Sequence, residues 1–321
     1  MRKDLFFCFT PLQVLIAKSI ILSDDYEGGR PECYVFALSD SKRYQHYYEL
    51  IAPHCAKAEF VTSLPPFPFY LTWLKQRFFR SDYRNIYIAS IDSVYVQFVL
   101  SWAGFEEVRT FDDGTANILA SSKYYCDDLS ISFKLKSLIW KLFGNRYSKE
   151  RIIKESSVHY TLYPGFQNLI ENLKQVSLNI SDVDSGCENK KDRIIVFVGT
   201  VLKDVIKNAD QQKSLIDRIR KYCLANLKND AVYLPHPRDE FNYFPELPKR
   251  ESTLIAEEVI FELINEYEEI ELVGFGSSTQ FNLMAQPSVK NVVLDSHLLH
   301  PRMRQLIQML AGSGAEYLML D

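Results

Sequence analysis

Four short stretches of this sequence place chemically capable residues directly after apolar, strand-like runs: Thr10-Pro11-Leu12-Gln13, Asp112-Asp113-Gly114-Thr115, His236-Pro237-Arg238 and Gly276-Ser277-Ser278-Thr279. A carboxylate at a strand end, Asp112 or Asp113, is a candidate general base; the competing reading is an Asp-Gly turn with paired acids capping a helix. His236 lies between Pro235 and Pro237, which hold its backbone extended and project the ring from the strand end. As an imidazolium it would stabilise or protonate a phosphate leaving group; otherwise it is a surface turn histidine. Gly276 followed by three hydroxyl residues and the helical "QFNLMA" offers N–H groups, hydroxyls and a helix N-terminus to a phosphate, or else a simple helix cap. Gly199-Thr200, after "RIIVFV", would supply a second turn near the same phosphate. His300-Pro301 repeats the dipeptide at the head of a late helix, where a cap is expected, and His297 with His300 has no acid or cysteine beside it to complete a metal site.

The elements that must carry these stretches follow a strand-then-helix rhythm. "LFFCFT", "CYVFAL", "NIYIAS" and "EVRTF" alternate with amphipathic segments, which is the signature of βαβ units and a parallel sheet. The rhythm stops near "LYPG" at 162–165 and restarts with "RIIVFVGT", "AVYLPHP", "EIELVGFGSST" and "KNVVLDS". The expected organisation is a first doubly wound domain over 1–180, a polar linker over 181–192 and a second doubly wound domain over 193–321. Open parallel sheets bind ligands beyond the carboxyl ends of their strands, and with two such domains the expected site is the interdomain cleft.

Composition narrows the class. A chain of 321 residues suits two hydrophobic cores, and a net charge of −4 is a poor match for a dedicated nucleic-acid binder. Six scattered cysteines without a CxxC pair signal neither zinc nor a disulfide framework, which fits a reducing cytoplasm. The start, "MRKDLFFCFTPLQVLIAKSI", has a basic end, but Asp4, Pro11 and Gln13 interrupt its apolar run; it reads as strand, loop and helix rather than a signal peptide. No stretch approaches the roughly eighteen apolar residues of a spanning helix.

Taken together, the strand endings resemble the bacterial sialyltransferases of glycosyltransferase family 52, the lipooligosaccharide and capsule type. The resemblance rests on "TPLQ", "FDDGTANI", "YLPHPRDE" and "FGSST", in that order over nearly the whole chain. It implies an α/β fold of GT-B type, two Rossmann-like domains, and inverting transfer of sialic acid from CMP-N-acetylneuraminate to a galactose-type hydroxyl. By motif, Asp113 corresponds to the general base, Asp112 to its orienting neighbour and His236 to the group facing the departing CMP phosphate. Gly276, Ser277, Ser278 and Thr279 correspond to the phosphate cradle, with Gly199, Thr200 and Pro237 on the donor side. Glu258, or else Glu257, is the candidate for the CMP ribose. Thr10, Gln13 and Gly114, with the stretch from Ser39 and Asp40 onward, are expected on the acceptor side. No obligatory metal or other cofactor is expected, because a nucleoside monophosphate carries few charges; "DVD" at Asp182–Asp184 falls in the polar linker.

Two segments mix aromatic and basic residues: "LPPFPFYLTWLKQRFFR" at 64–80 and "FKLKSLIWKLFGNRYSK" at 133–149. They suit a bilayer interface, or packing within the first domain or against a second copy. The expected partners are therefore CMP-sialic acid, a glycan acceptor that is lipid-linked, a membrane surface and a homodimer mate, with no nucleic acid. The expected location is the bacterial cytoplasm, at the inner face of the cytoplasmic membrane. The alternatives left open are another inverting GT-B enzyme with a different CMP- or UDP-sugar, a polysialyltransferase, or a non-catalytic sugar-nucleotide binder.

Overall fold

The apolar runs become strands because each is short, rich in aromatic and β-branched residues, and ended by turn formers. The computed structural model describes residues 2–37, 42–126, 130–178, 190–206, 208–226, 231–236, 238, 244 and 247–320. It divides into two compact units, Met1–Asn179 and Ile180–Asp321. Pro237, Ser39, Asp40 and Asp182–Asp184 lie outside the described residues, as does most of the expected linker.

Unit 1 runs β1 (Lys3–Cys8), α1 (Pro11–Ile21), β2 (Glu32–Phe36), α2 (Lys42–Ile51), β3 (Lys57–Val61), α3 (Phe69–Phe78), β4 (Asp82–Ile88), α4 (Val94–Trp102), β5 (Gly104–Phe111), α5 (Ile131–Leu142), α6 (Lys149–Glu155), β6 (Ser156–Thr161) and β7 (Leu173–Gln175). Its sheet has the order β3-β2-β1-β4-β5-β6-β7, with every pairing parallel. The order reverses between β1 and β4, so the ends of these strands open at the topological switch point where such sheets bind ligands. The interruption at Asp4 has a structural cause: its carboxylate is fully buried and accepts from Arg84 Nη2 at 2.8 Å and from the Asn85 N–H at 3.2 Å, tying β1 to β4. Phe7, Tyr34, Leu74, Phe78, Ile86 and Val99 form part of the core beneath.

Unit 2 runs β8 (Lys191–Val198), α7 (Leu202–Val205), α8 (Gln212–Asn226), β9 (Ala231–Leu234), α9 (Ala256–Glu266), β10 (Tyr267–Gly274), α10 (Ser278–Asn282), β11 (Val289–Asp295), α11 (Pro301–Gly312) and β12 (Glu316–Met319). Its order is β12-β11-β10-β8-β9, again parallel throughout, and the switch falls between β8 and β10. The first strand begins at Lys191, two residues inside the stretch read as linker, because Ile194 and Val196 need the preceding residues to pair with β10. Four strands escaped the apolar pattern: β3, β6, β7 and β12. No helix among the described residues is long and apolar enough to cross a membrane.

Candidate active site

At the switch point of unit 1, Thr10 caps α1 by accepting the Gln13 N–H at 3.3 Å, with Pro11 at the first helical position. This T-x-x-Q arrangement turns the Gln13 side chain back over the strand ends, and that side chain is fully buried. Its Oε1 accepts the Phe9 N–H at 2.7 Å. Its Nε2 donates to Ser90 Oγ at 3.1 Å and to Asp113 Oδ1 at 2.6 Å. The other carboxylate oxygen of Asp113 accepts the Tyr124 hydroxyl at 2.5 Å. Burial, followed by the negative charge of Asp113, pushes the Tyr124 phenol far above its ordinary pKa. It therefore stays protonated and must act as the donor. Asp113 is half-buried, and each of its oxygens keeps a second lone pair with which to take a proton.

Asp112 does something else. It is fully buried, and its carboxylate accepts from His159 Nε2 at 2.9 Å, Thr161 Oγ1 at 2.9 Å and the Leu162 N–H at 2.6 Å. Thr110, two residues earlier on the same face, contacts His159 Nδ1 at 2.8 Å. Strand alternation thus places Asp112 against β6 and the next carboxylate elsewhere. The groups that orient Asp113 are Gln13 and Tyr124, whereas the sequence reading assigned orientation to Asp112. Gly114 takes φ +57°, with no heavy atom within 4 Å of an added Cβ. Its glycine answers to backbone conformation alone, letting the chain enter the 3₁₀ turn Gly114–Asn117, whose Asn117 Oδ1 accepts the Asp113 N–H at 3.0 Å.

In unit 2, Gly199 follows β8, and an added Cβ would lie 2.7 Å from the His236 backbone nitrogen and 3.0 Å from Leu234 O. Only glycine allows this approach, and the Gly199 N–H donates to Leu234 O at 2.7 Å. The half-buried Thr200 follows it. His236 Nδ1 accepts the Arg238 N–H at 3.1 Å, so the ring proton of the neutral form sits on Nε2. That makes Nε2 a donor. His300 uses the same geometry, accepting the Arg302 N–H at 3.2 Å, and caps α11 as expected.

The phosphate cradle is narrower than expected. Ser277 caps α10 in a full capping box with Gln280, and Gln280 Oε1 accepts the N–H groups of Gly276 at 3.0 Å and Ser277 at 3.3 Å. Those two donors are occupied. α10 is only five residues long, so its dipole adds little; the buried Thr279 turns its hydroxyl to the Glu257 carboxylate, which leaves the exposed Ser278 as the leading candidate for the expected cradle. Glu257 and Glu258 are both buried in the first turn of α9. Glu257 Oε1 accepts from Asn282 Nδ2 at 2.6 Å. Burial raises the Glu257 carboxyl above its ordinary pKa, against the opposing hydrogen bonds from Asn282 and Thr279. Glu257 therefore serves as a tie between α9 and α10.

Tyr124 is the site residue that sequence reasoning missed. It sits in "SSKYYC", whose spacing to Asp113 follows no helical or strand period and so carries no signal.

Residues 31–298 match the model of glycosyltransferase family 52. The chain is 28% identical over 300 residues to an N-acetyllactosaminide alpha-2,3-sialyltransferase of Haemophilus influenzae, covering 89% of this chain and 90% of that protein. It is 31% identical over 244 residues to a CMP-N-acetylneuraminate:beta-galactoside alpha-2,3-sialyltransferase of Pasteurella multocida, covering 74% of each. Among solved structures, TcCGT1 in complex with UDP superposes with a TM-score of 0.56 at 9% identity, covering 99% of this chain and 86% of that one. The glycotransferase of kitacinnamycin gives 0.52 at 8% identity, covering 100% and 87%. These superpositions establish the fold: two Rossmann-like domains of the GT-B type.

Proposed function

The chain belongs to glycosyltransferase family 52, and from that premise we propose that it is an inverting sialyltransferase. It moves sialic acid from CMP-N-acetylneuraminate to a galactose-type hydroxyl of a lipooligosaccharide or related glycan, in α2,3 linkage, the linkage named for its relatives. The observation that carries this reading is the Asp113 carboxylate at the end of β5, held at both oxygens by buried donors that cannot take its place as base.

Asp113 takes the proton of the acceptor hydroxyl as that oxygen bonds to the anomeric carbon. The bond from that carbon to the CMP phosphate oxygen breaks, and the electron pair leaves with CMP. His236 Nε2–H donates to the departing phosphate, with Ser278 as a further donor, and Glu258 takes the ribose hydroxyls. Inversion through an oxocarbenium-like state calls for a base on the acceptor side of the reacting carbon and charge stabilisation on the leaving-group side. A nucleoside monophosphate brings too little charge to require a divalent cation, so turnover is expected to survive chelation. The acceptor is lipid-linked, and the enzyme works as a peripheral protein at the cytoplasmic face of a bacterial membrane.

The test is incubation with CMP-sialic acid and a panel of galactosides, with the product linkage identified. Asp113→Ala is expected to lower kcat by about 10² to 10⁴ and, because it leaves the buried Gln13 and Tyr124 donors without their acceptor, to lower Tm as well, whereas His236→Ala should lower kcat by about 10² at unchanged Tm. Acceptor-dependent CMP release that is unchanged in both variants would refute the assignment.

A further inference from the structure

Close to Asp113, unit 1 holds a cavity of about 710 Å³ between α4, α5, α6 and the turn that carries Asp92. That volume lies in the range of small-molecule sites. Asp92 and Lys123, paired at 2.7 Å, form part of its wall. Both reach Tyr124: Lys123 Nζ stands 5.1 Å from the tyrosine ring centroid, and the Asp92 carboxylate lies within hydrogen-bond reach of its hydroxyl. The same hydroxyl donates to Asp113 Oδ2 at 2.5 Å. A single tyrosine side chain therefore joins the wall of the cavity to the carboxylate proposed as the base.

The lining indicates what fits. Phe133, Trp140 and Tyr147 contribute aromatic rings, the last two half-buried, which suit the C–H faces of a ligand. Ser137, Gln97 and Asn145 contribute hydrogen-bonding groups. Gln97 Nε2 gives one hydrogen to Ile91 O at 3.2 Å, and Asn145 Nδ2 gives one to Gln97 Oε1 at 3.4 Å, so each amide keeps a further hydrogen to give. Two lysines of the lining are committed: Lys123 to Asp92, and Lys149 Nζ to the carbonyls of Lys123 at 3.3 Å and Cys126 at 2.9 Å. Committed cations draw an anion poorly, and polar walls suit an acyl chain poorly. A neutral ligand with many hydroxyls and apolar ring faces, a sugar, satisfies both halves of the lining.

We propose that this cavity receives the second sugar of the acceptor, the one to which the reacting galactose is linked, while the galactose itself lies at Asp113. The proposal rests on the sialyltransferase reading above and adds a substrate class to it: a neutral galactoside of at least two sugars, recognised through the ring that does not react. Trp140 packs on the face of that ring, and the Asp92–Lys123 pair meets its hydroxyls.

Transfer to lactose, compared with transfer to methyl β-galactoside, which lacks the second sugar, tests this. The wild type should show a kcat/KM about tenfold or more higher for lactose. Trp140→Ala removes the packing ring and Ser137→Trp fills the cavity, and each should bring that ratio down to about one, chiefly through the KM for lactose. A merely structural role would slow both acceptors alike and leave the ratio standing. Equal use of the two acceptors by the wild type, or a ratio that both variants keep, overturns the proposal. Calorimetric titration of lactose onto the full chain in the presence of CMP separates the claims. Lactose bound by the wild type and not by Ser137→Trp, with no acceptor sialylated, sinks the enzymatic reading and keeps the sugar site. Sialylation of lactose, with binding that Ser137→Trp leaves unchanged, sinks the sugar site alone, and neither transfer nor binding sinks both.

Discussion

Each unit places the same short grammar at the head of a helix beside its switch point: Thr10-Pro11-Leu12-Gln13 in unit 1 and Ser277-Ser278-Thr279-Gln280 in unit 2. In both, the first residue caps the helix and accepts the N–H of the glutamine at 3.3 Å. In both, the glutamine is fully buried and its Oε1 takes backbone N–H groups of the preceding turn. The amide nitrogens differ. Gln280 Nε2 donates to the backbone carbonyls of Leu272 at 3.1 Å and Val292 at 3.0 Å, stitching β10 to β11. Gln13 Nε2 donates to Ser90 and to the Asp113 carboxylate. One local device therefore stabilises a sheet in one unit and holds the carboxylate proposed as the base in the other, and only the identity of the distant partner decides which.

Gln280→Leu should break the comparison on the stability side most strongly. It strips the partner from two buried N–H groups and two buried carbonyls, which should cost about 3 to 5 kcal/mol in denaturant unfolding. Activity measured well below the lowered unfolding midpoint should suffer in the donor KM, because the Gly276–Ser277 turn loosens, and not in kcat. A kcat loss as large as that of the Asp113 variant would mean that Gln280 acts in the chemistry.

Gln13→Leu should show the converse. Losing three hydrogen bonds, it should be destabilised by about 2 kcal/mol, but its kcat should fall by about 10¹ to 10² because a misaimed base loses the near-attack geometry. Tyr124→Phe removes the other half of the hold and should cost about tenfold or less. In the double variant the two losses should not multiply, since both act through one carboxylate. Full additivity would mean that the two residues act on different groups.

Central strands were legible from residue order because they are apolar on both faces, as β1, β4, β8 and β10 are. β3 and β12 lie at sheet edges with most of their residues partly or fully exposed, and β7 spans three residues. None of these leaves a hydrophobic period to read. β6 mixes its polar residues into a buried network around His159, which hides a strand behind a polar pattern. Within the site, the chemistry-bearing residues sit at strand ends and could be nominated, but their partners could not. Gln13 and Asp113 are 100 positions apart, and no local spacing encodes that meeting. The division of labour between Asp112 and Asp113 was closer to hand. Alternation along β5 sets Asp112 on the face of Thr110, and the adjacent carboxylate on the other.

A second adjacent pair, Glu257 and Glu258, offers the finest test of how such neighbours divide their roles. Burial raises the Glu257 carboxyl above its ordinary pKa, so the folded state favours the protonated form more than the unfolded chain does. The sign follows from linkage: this contribution to stability is fully present below the ordinary glutamate pKa and is lost as pH rises through the raised folded value. Glu257→Gln keeps an oxygen for Asn282 and cannot ionise. Its stability relative to wild type should therefore improve as pH rises above the ordinary glutamate pKa in denaturant titrations, with sialyl transfer unchanged at every pH. Glu258→Gln should instead raise the KM for CMP-sialic acid if Glu258 takes the ribose. If Glu257→Gln runs parallel to wild type across that range, or raises the donor KM, Glu257 is no passive tie between helices, and the ribose contact moves to it from its neighbour.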